Sequence, residues 1–276
     1  MAVFARGTMK PPVGVQVNPA HPLGAHCLLT VPFNEGFGRP GIVYGAPSLG
    51  PPRQASPSFL PAVTVMEPPT AALPTWISNQ EGLGTSQASS VYWRFENNSS
   101  WVPTTACTMC IIRRRTNTVN AGGTWGHGGG GDTNAFSLQL PYSDTTVYWD
   151  FGGWAGANRL YAAGLSFSTV IPERWVVHAG LRGSAIWQNG VKVASQATAI
   201  SRAVGGLTFQ LSDLTAQEIN YFAIYDTQWS DDLCRWWSAE PYAHLYSEQT
   251  RTYLFLGAIS AYLAGSQPRL ALLGVG

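Results

Sequence analysis

Charged residues are scarce in this sequence. Only 11% of the 276 residues are Asp, Glu, Lys or Arg, against roughly a quarter in typical soluble domains. The formal net charge is only +1. Nucleic-acid-binding proteins usually carry a strong basic excess that neutralises phosphates. We interpret the one basic run, at residues 113–115, as a solvated strand end, with docking onto an acidic partner as the alternative. We therefore expect no nucleic-acid partner.

Long apolar runs are missing too. Residues 252–268 are uncharged but contain two Gly, two Ser and a Gln, and they fall short of the ~20 residues that a membrane-spanning helix needs. The first twelve residues have no apolar core of the kind found in secretory signals. The sequence therefore predicts no membrane insertion.

Cysteines are few. Cys107 and Cys110 form one C-x-x-C pair, but no second Cys or His pair accompanies it, so we predict neither a metal framework nor any other cofactor. The pair lies in a strand-like run, where a spacing of three places the two side chains on opposite faces. Together with Cys27 and Cys234, they are expected to be free thiols of a reducing cytoplasm.

Turn-forming residues and short β-like segments dominate instead, with 30 Gly and 19 Pro. The clearest signal, at residues 173–195, predicts three short strands. Apolar residues alternate along the first of them, which indicates one buried face. Asn189-Gly190 supplies the two positive φ angles of a type I′ hairpin. Trp175, Val177 and Trp187 are predicted core residues, packed against a facing sheet.

Three segments differ in composition. Residues 1–74 hold 14 of the 19 prolines, so we predict an extended Pro-rich N-terminal arm, with at most short strands near 25–31 and 62–66. The arm is too apolar to be a solvated linker, and it either crosses a neighbouring subunit or wraps back over its own domain. Residues 75–246 are predicted to form a β-sandwich, and residues 247–276 an apolar C-terminal tail.

Short β-like runs separated by Gly, Asn and Ser are typical of a two-sheet sandwich. One short helix is predicted near residues 231–238, because Ser230 is a good N-cap and two aspartates follow it in the first turn. Besides the strands within 173–195, the predicted strands are 91–95, 105–113, 136–140, 145–151, 166–171, 207–211 and 219–225.

The order of these signals resembles the laminin-G-like branch of the concanavalin A-like sandwiches. That family carries a strand similar to RWVVHAGLRG before one similar to SAIWQNGVKVAS. A late strand similar to NYFAIYDTQWS precedes a short helix similar to DDLCRWW and a Pro-Tyr pair, here Pro241-Tyr242. The resemblance, over residues 90–246, implies an all-β jelly roll of two sheets. It implies no activity, because lectins, glycosidases and adhesion modules share this fold.

A second resemblance lies near the N-terminus. NPAHPL at residues 18–23, followed by FNEG at 33–36, is similar to the opening of laminin-G-like proteins of tailed bacteriophages. The resemblance implies a virion protein that is assembled in the host cytoplasm, without indicating the part of the particle. Other virion proteins, capsid or tail subunits, would be its partners, and we expect a homo-oligomer.

Catalytic signatures are missing. Glycosidases on this sandwich place two carboxylates at alternate positions of one strand, and none of the 15 Asp and Glu residues lies two positions from another. GLSFS at residues 164–168 departs from the G-x-S-x-G elbow at its last position. The Gly-rich run at 126–132 lacks the ending of a phosphate-binding loop, and we interpret it as a flexible rim loop. We predict a protein that is not an enzyme.

Two Gly-rich loops carry the candidate ligand-binding residues Trp125, His127, Trp154 and Asn158. If these loops meet at one end of the sandwich, their aromatic rings, amide and imidazole suit the apolar face and the hydroxyls of a glycan. Buried packing or subunit contact is the alternative for the two tryptophans.

The leading functional hypothesis is a virion structural protein of the exterior, a capsid decoration or head-fibre protein that docks through its terminal segments and displays the sandwich outward. The candidate docking residues are Phe33, Phe59, Leu60, Leu254 and Phe255. A tail-associated adhesin that binds host glycan is the alternative. A polysaccharide hydrolase is third, because it would need carboxylates that converge from different strands.

Overall fold

The computed structural model describes twelve parts of the chain. They are residues 10–11, 17–34, 43–44, 64–66, 74–87, 93–96, 103–116, 123–128, 135–142, 144–203, 207–211 and 217–245. Four of the candidate docking residues, Phe59, Leu60, Leu254 and Phe255, lie outside these ranges, as does the segment predicted as a C-terminal tail. None of the helices in the described ranges is long and apolar enough to cross a membrane.

Within the described ranges, sixteen strands form two antiparallel sheets. The strands of sheet A, in spatial order, are β14 (Val191–Gln196), β13 (Gly183–Gln188), β12 (Glu173–Gly180), β7 (Cys107–Arg115), β16 (Gln217–Tyr225), β1 (Cys27–Val31) and β2 (Val43–Tyr44). A hairpin of β4 (Thr75–Asn79) and β5 (Gly82–Gln87) pairs with the start of β16. Sheet B consists of β11 (Arg159–Ala162), β10 (Val147–Phe151), β9 (Phe136–Gln139), β8 (Gly123–Gly128), β15 (Leu207–Leu211), β6 (Trp93–Glu96) and β3 (Thr64–Met66). The predicted all-β jelly-roll sandwich is confirmed.

The two tight turns predicted at residues 173–195 are present. Asn189 and Gly190 have φ angles of 50° and 82°, as a type I′ hairpin requires. Gly183, at the other turn, has φ 87°, and a Cβ atom there would lie 1.8 Å from the carbonyl oxygen of Gln196. Only glycine fits that position, so the start of β13 depends on it.

The first core fills the space between the two sheets. Trp149 of sheet B and Trp175 of sheet A are both fully buried there. The indole Nε1 of Trp149 donates a hydrogen bond of 3.2 Å to the carbonyl oxygen of His178, which joins the two sheets. Truncating a buried Trp to Ala typically costs about 3 to 5 kcal/mol, so these two side chains contribute much of the stability of the sandwich.

A second core covers the opposite face of sheet A. It contains Val176 and Trp187 from the sheet and Trp237 from the helix α1 (Asp231–Ala239). The expectation of one buried face for the strand at 173–180 is therefore wrong, because α1 and its neighbours cover the other face. The side chains of Cys107 and Cys110 belong to the first and second cores, which confirms their predicted placement on opposite faces.

The helix begins where the sequence indicates. The side chain of Ser230 accepts a hydrogen bond of 3.4 Å from the backbone N–H of Leu233, so it is the N-cap. Asp231 and Asp232 occupy the first turn, where the helix dipole favours carboxylates.

Part of the predicted N-terminal arm belongs to the sandwich. β1 pairs with β16, with Val31 opposite Phe222, and the Asn18 N–H donates a hydrogen bond of 2.7 Å to the His244 carbonyl oxygen. Phe33 is fully buried in the first core. The prediction that Phe33 docks onto a partner is therefore wrong, because its side chain packs inside its own domain. Residues 17–34 wrap back over the domain of the same chain.

One predicted strand is absent. Residues 166–171 form a turn rather than a strand, because the hydroxyl of Ser168 accepts hydrogen bonds from the N–H groups of Val170 and Ile171. A side chain that satisfies the backbone locally in this way competes with strand pairing. Conversely, β4, β5, β8 and β11 are strands that the sequence pattern did not predict.

A buried histidine anchors the segment after the helix to sheet A. Nε2 of His244 lies 3.1 Å from the hydroxyl oxygens of both Tyr221 and Tyr225 on β16. Burial, followed by the influence of His21, lowers the pKa of His244 to about 3. On β12, His178 is also buried, and burial lowers its pKa to about 4, with the charges of Lys192 and Arg182 acting in the same direction. Both imidazoles are therefore neutral at pH 7.

Because the pKa values of these two histidines are lowered in the folded chain, we expect the folded chain to lose stability in mild acid. The unfolded chain binds protons at the ordinary histidine pKa of about 6.5, whereas the folded chain does so only near pH 4 and pH 3. The free energy of unfolding should be largest above pH 6.5 and should fall as the pH is lowered toward 4.

Urea unfolding at pH 7, 5.5 and 4 measures this effect. His244→Gln should have a shallower dependence on pH than the native chain, because one of the two groups is gone. Parallel pH dependences of the native and variant proteins would contradict the assignment.

Candidate functional site

The strands at the edge of sheet B alternate between core and polar side chains. On β10 and β11, Trp149 and Leu160 point into the first core, so Tyr148, Asp150, Arg159 and Tyr161 lie on the outer face. Tyr148 is opposite Tyr161, and Asp150 is opposite Arg159. We call these four residues, together with Tyr142 from the preceding turn, the tyrosine face.

Asp150 organises the tyrosine face. Its side chain is fully buried and accepts hydrogen bonds from Ser137 Oγ at 3.1 Å and Gln139 Nε2 at 3.2 Å. Arg159 approaches it in a bidentate manner, with Nε 2.6 Å from Oδ1 and Nη2 3.0 Å from Oδ2. Four donors surround the carboxylate, which leaves it little capacity for proton transfer. It therefore positions Arg159 rather than acting as an acid or a base.

The guanidinium of Arg159 joins this network to the aromatic rings. Its hydrogen bond to Asp150 raises the pKa of Arg159, so the side chain remains charged. The guanidinium carbon lies 4.5 Å from the centroid of the Tyr148 ring, which is a cation–π contact. Because the Arg159 side chain is partly exposed, it reaches from the buried carboxylate to the surface.

Three tyrosine rings form the exposed part of the face. The centroid of Tyr148 lies 6.0 Å from that of Tyr142 and 6.4 Å from that of Tyr161. Tyr161 is 63% exposed and Tyr142 is 38% exposed. The rings are held by strand pairing and by each other, so solvent meets a row of aromatic surface in a fixed arrangement.

The turn before β10 holds Tyr142 and Tyr148 together. Asp144 accepts hydrogen bonds from the hydroxyl of Tyr148 and from the N–H of Thr146. Desolvation is the largest single effect on Asp144, but these hydrogen bonds outweigh it and lower its pKa below the usual range. Thr145 adopts a positive φ of 68°, which is unusual for a β-branched residue. The tight turn is therefore a constrained element beside the tyrosine face.

The loop between β10 and β11 displays Trp154, which is 37% exposed. Asn158 closes the loop, since its Nδ2 donates a hydrogen bond of 3.3 Å to the Gly152 carbonyl oxygen. Gly152 has φ 89°, and a Cβ atom there would lie 2.3 Å from the carbonyl oxygen of Ser201. The expected Gly-rich loop that carries Trp154 and Asn158 is present at residues 152–158, and the indole of Trp154 is partly exposed.

The other predicted loop is a strand. Trp125 and His127 lie on β8, which pairs with β9 and β15, so their placement on a flexible rim loop is wrong. Trp125 is opposite Ser137, which in turn is opposite Asp150. Strands are ~4.8 Å apart, so β8 lies about 14 Å from β11. Of the four predicted residues, Trp154 and Asn158 lie in the loop that joins β10 to β11, whereas Trp125 and His127 lie on β8, three strands from β11.

Sequence reasoning missed the tyrosine face itself. The alternation of VYWDF at β10 and RLYA at β11 was the available signal, because each segment places its polar or hydroxylated residues at every second position. β11 has only four residues, however, and its pairing with β10 is not visible in a single sequence. The meeting of Asp150 with Arg159 depends on that pairing.

Metal and thiol chemistry receive no support within the described ranges. They contain no group of three or more His, Cys, Asp or Glu side chains placed to hold a metal ion. All four cysteines are buried, free thiols. Burial raises the pKa of Cys27 and Cys107, so their reactive thiolate forms are disfavoured.

The ion pair between Asp150 and Arg159 is expected to stabilise the folded chain. Asp150→Asn keeps the shape of the side chain but leaves Arg159 without its counter-ion, which should cost about 2 kcal/mol once the partial exposure of Arg159 is considered. The midpoint of urea unfolding measures this cost. Asp232→Asn, which changes a fully exposed carboxylate on α1, is the control and should have little effect. An Asp150→Asn variant as stable as the native chain would show that Asp150 does not carry the charge assigned to it.

No protein-family model matches the chain, and no curated protein matches it in sequence. Solved structures do share its fold. The binding domain of Paraclostridial Mosquitocidal Protein 1 superposes with a TM-score of 0.56 at 9% identity, over 78% of this chain and 52% of that one. The receptor binding domain of botulinum neurotoxin D gives 0.53 at 12% identity, over 79% and 53%.

A Trypanosoma rangeli sialidase gives a TM-score of 0.51 at 10% identity, over 81% of this chain and 36% of that one. The chain thus spans about half the length of the two toxin binding domains and about a third of the sialidase. At these identities the likeness extends to the fold alone. The chain therefore has the β-sandwich fold that these proteins contain.

Proposed function

We propose that this chain is a non-enzymatic β-sandwich that binds carbohydrate through the tyrosine face. The observation that carries the proposal is the row of Tyr142, Tyr148 and Tyr161 around the charged Arg159. Exposed aromatic rings bind the apolar faces of sugar rings, while neighbouring polar groups orient the hydroxyls. The face combines both kinds of group on rigid strands.

Arg159 supplies directional hydrogen bonding in this proposal. Two of the donors of its guanidinium are used by Asp150, and a guanidinium has five in a rigid fork. The others are available to ligand hydroxyls at the surface. Because Asp150 fixes the guanidinium before any ligand arrives, binding does not need to order this side chain.

Trp154 is partly exposed in the loop that joins β10 to β11, shortly before Asn158 and Arg159 in the chain. We keep Trp154 and Asn158 of the predicted glycan site in the proposal, and we replace Trp125 and His127 at its centre with the three tyrosines. Two of the similar structures are binding domains by name, and the third is a sialidase. They support a binding role in kind, without indicating the ligand.

A non-catalytic role fits the chemistry of the face. A retaining or inverting glycosidase needs one carboxylic acid that gives a proton and one carboxylate that acts as base or nucleophile. Asp150 is occupied by four donors, and Asp144 accepts from Tyr148 and Thr146. Both carboxylates therefore support the arrangement of the face instead of facing a substrate.

The proposal predicts selective loss of binding. On a glycan array, Tyr161→Ala and Tyr142→Ala should each weaken binding about tenfold, because each removes an exposed ring from the face. Trp236→Ala is the matched control, since Trp236 is 38% exposed on α1 and lies away from the tyrosine face. Absence of glycan binding by the native chain, or equal losses in all three variants, would contradict the proposal.

A virion location is the second part of the proposal, with the chain on the exterior of a tailed bacteriophage. The NPAHPL and FNEG segments and the low content of charged residues support it. We prefer a role as a capsid decoration or head-fibre protein. A tail-associated adhesin is the alternative. Homo-oligomerisation and docking through Phe59, Leu60, Leu254 and Phe255 belong to the same proposal.

Electron microscopy of the phage that encodes the chain tests this location. Gold-labelled antibody against the purified chain should decorate intact particles, and antibody pre-adsorbed with the chain is the control. Label on the capsid shell would favour the decoration protein, and label at the tail would favour the adhesin. Particles without label, in a lysate that contains the chain, would contradict a virion location.

A further inference from the structure

The segment that builds the tyrosine face carries an excess of negative charge. Residues 135–163 include β9, β10, β11 and the connections between them, and their charged residues are Asp144, Asp150 and Arg159. Two carboxylates and one guanidinium give this segment a formal charge of −1. The positions of these three side chains decide which sign of charge a ligand meets.

The positive charge of Arg159 is balanced within the protein. Asp150 is fully buried and binds Nε and Nη2 of Arg159 at 2.6 and 3.0 Å. Paired N–H groups of this kind are how a guanidinium binds a carboxylate in a bidentate manner. A ligand carboxylate cannot bind this edge of the guanidinium, because Asp150 already does. Arg159 therefore offers its remaining N–H groups to hydroxyls, but no unbalanced positive charge.

Asp144 carries the unbalanced charge. Its side chain is exposed in the tight turn that the Thr145 N–H closes onto the Tyr142 carbonyl oxygen at 3.0 Å. Its Oδ2 accepts a hydrogen bond from the hydroxyl of Tyr148, so the carboxylate lies at the hydroxyl end of the middle ring of the face. The ion pairs within the described ranges do not include Asp144.

The surrounding hydrogen bonds keep Asp144 ionised at pH 7. Desolvation is the largest single effect on its pKa and acts to raise it, but the hydrogen bonds from Tyr148 and Thr146 together lower the pKa below its usual range. The same contact with Asp144 raises the pKa of Tyr148, so the phenol remains neutral. A fixed negative charge therefore lies beside the aromatic ring on which a sugar would stack.

We propose that the tyrosine face selects neutral glycans over acidic ones and that Asp144 is the residue that disfavours the acidic ones. This inference rests on the proposed carbohydrate site and specifies its ligand class. A neutral sugar stacks on the rings and directs hydroxyls to Arg159. A carboxylate or sulfate on the sugar brings a second negative charge beside Asp144, and like charges repel. Asp144 acts through its charge, while its oxygens hold the turn.

Matched glycans test this selectivity on the full chain. A glycan array presents each neutral oligosaccharide beside its sialylated form, and titration calorimetry then measures the affinities for the best neutral ligand and its sialylated form. At an ionic strength of about 0.01 M the sialylated form should bind about threefold more weakly, as expected for two exposed charges, and the difference should shrink at about 1 M, where the Debye length is only ~3 Å. The methyl ester of the sialylated form has the same bulk without the charge, and it should bind like the neutral ligand.

The outcomes separate this inference from the proposed function. A sialylated form that binds as tightly as the neutral ligand at low ionic strength, with the binding still lost in Tyr161→Ala, would overturn the selectivity and leave the carbohydrate site in place. Absence of binding to every glycan on the array would overturn both.

Asp144→Asn assigns the repulsion to this residue. The variant removes the charge and keeps the shape, so the ratio of neutral to sialylated affinity at low ionic strength should fall toward one. The ratio is the readout, because displaced rings would weaken both ligands and leave it unchanged. Asp232→Asn, at an exposed carboxylate on α1, is the matched control and should keep the native ratio. A native ratio in Asp144→Asn would overturn the role of Asp144. If that variant does not fold, the salt dependence of the native chain decides.

Discussion

Sheet A is apolar on both of its faces, and the rest of the structure depends on covering both. One face is covered by sheet B, which forms the first core. The other is covered by α1, by the N-terminal segment from residue 17 and by the segment ending at residue 245, which form the second core. Burial of apolar side chains is the dominant favourable contribution to folding, so a sandwich of two sheets alone would leave Trp187 and its neighbours in water. The domain is better described as three packed layers.

The two outer surfaces of this arrangement consequently differ. The central strands of sheet A, β12, β7 and β16, are buried on both faces, whereas the outer face of sheet B carries tyrosines, an arginine and buried polar side chains. Asp150 is fully buried on that face although it is charged, and its four hydrogen-bond donors make this possible. The polar network costs more to assemble than apolar packing would. It presents aromatic rings and a guanidinium to solvent, which is why the tyrosine face is a candidate for ligand binding.

Local signals in the sequence were reliable where a few adjacent residues determine the backbone. Asn189-Gly190 predicted a type I′ turn because only two residues set its φ angles. Ser230 with the two following aspartates predicted the start of α1. Local signals failed where a side chain competes with strand pairing or where distant segments decide the outcome. Residues 166–171 have a strand-like composition, yet the hydroxyl of Ser168 closes a turn there. The Gly-rich run at β8 has loop-like composition, yet β9 and β15 pair with it on both sides.

The sequence by itself determined the all-β class, the central strands, the helix start and the opposite orientation of Cys107 and Cys110. These properties follow from local backbone preferences and the two-residue period of a strand. Only the tertiary structure decided that Phe33 belongs to the core, that Asp150 meets Arg159, and that Gln228 contacts the buried His178. Each of these depends on contacts between segments that are distant in sequence or on which strands are neighbours. A single sequence carries no direct record of such pairing, since many pairings satisfy the same alternation of apolar residues.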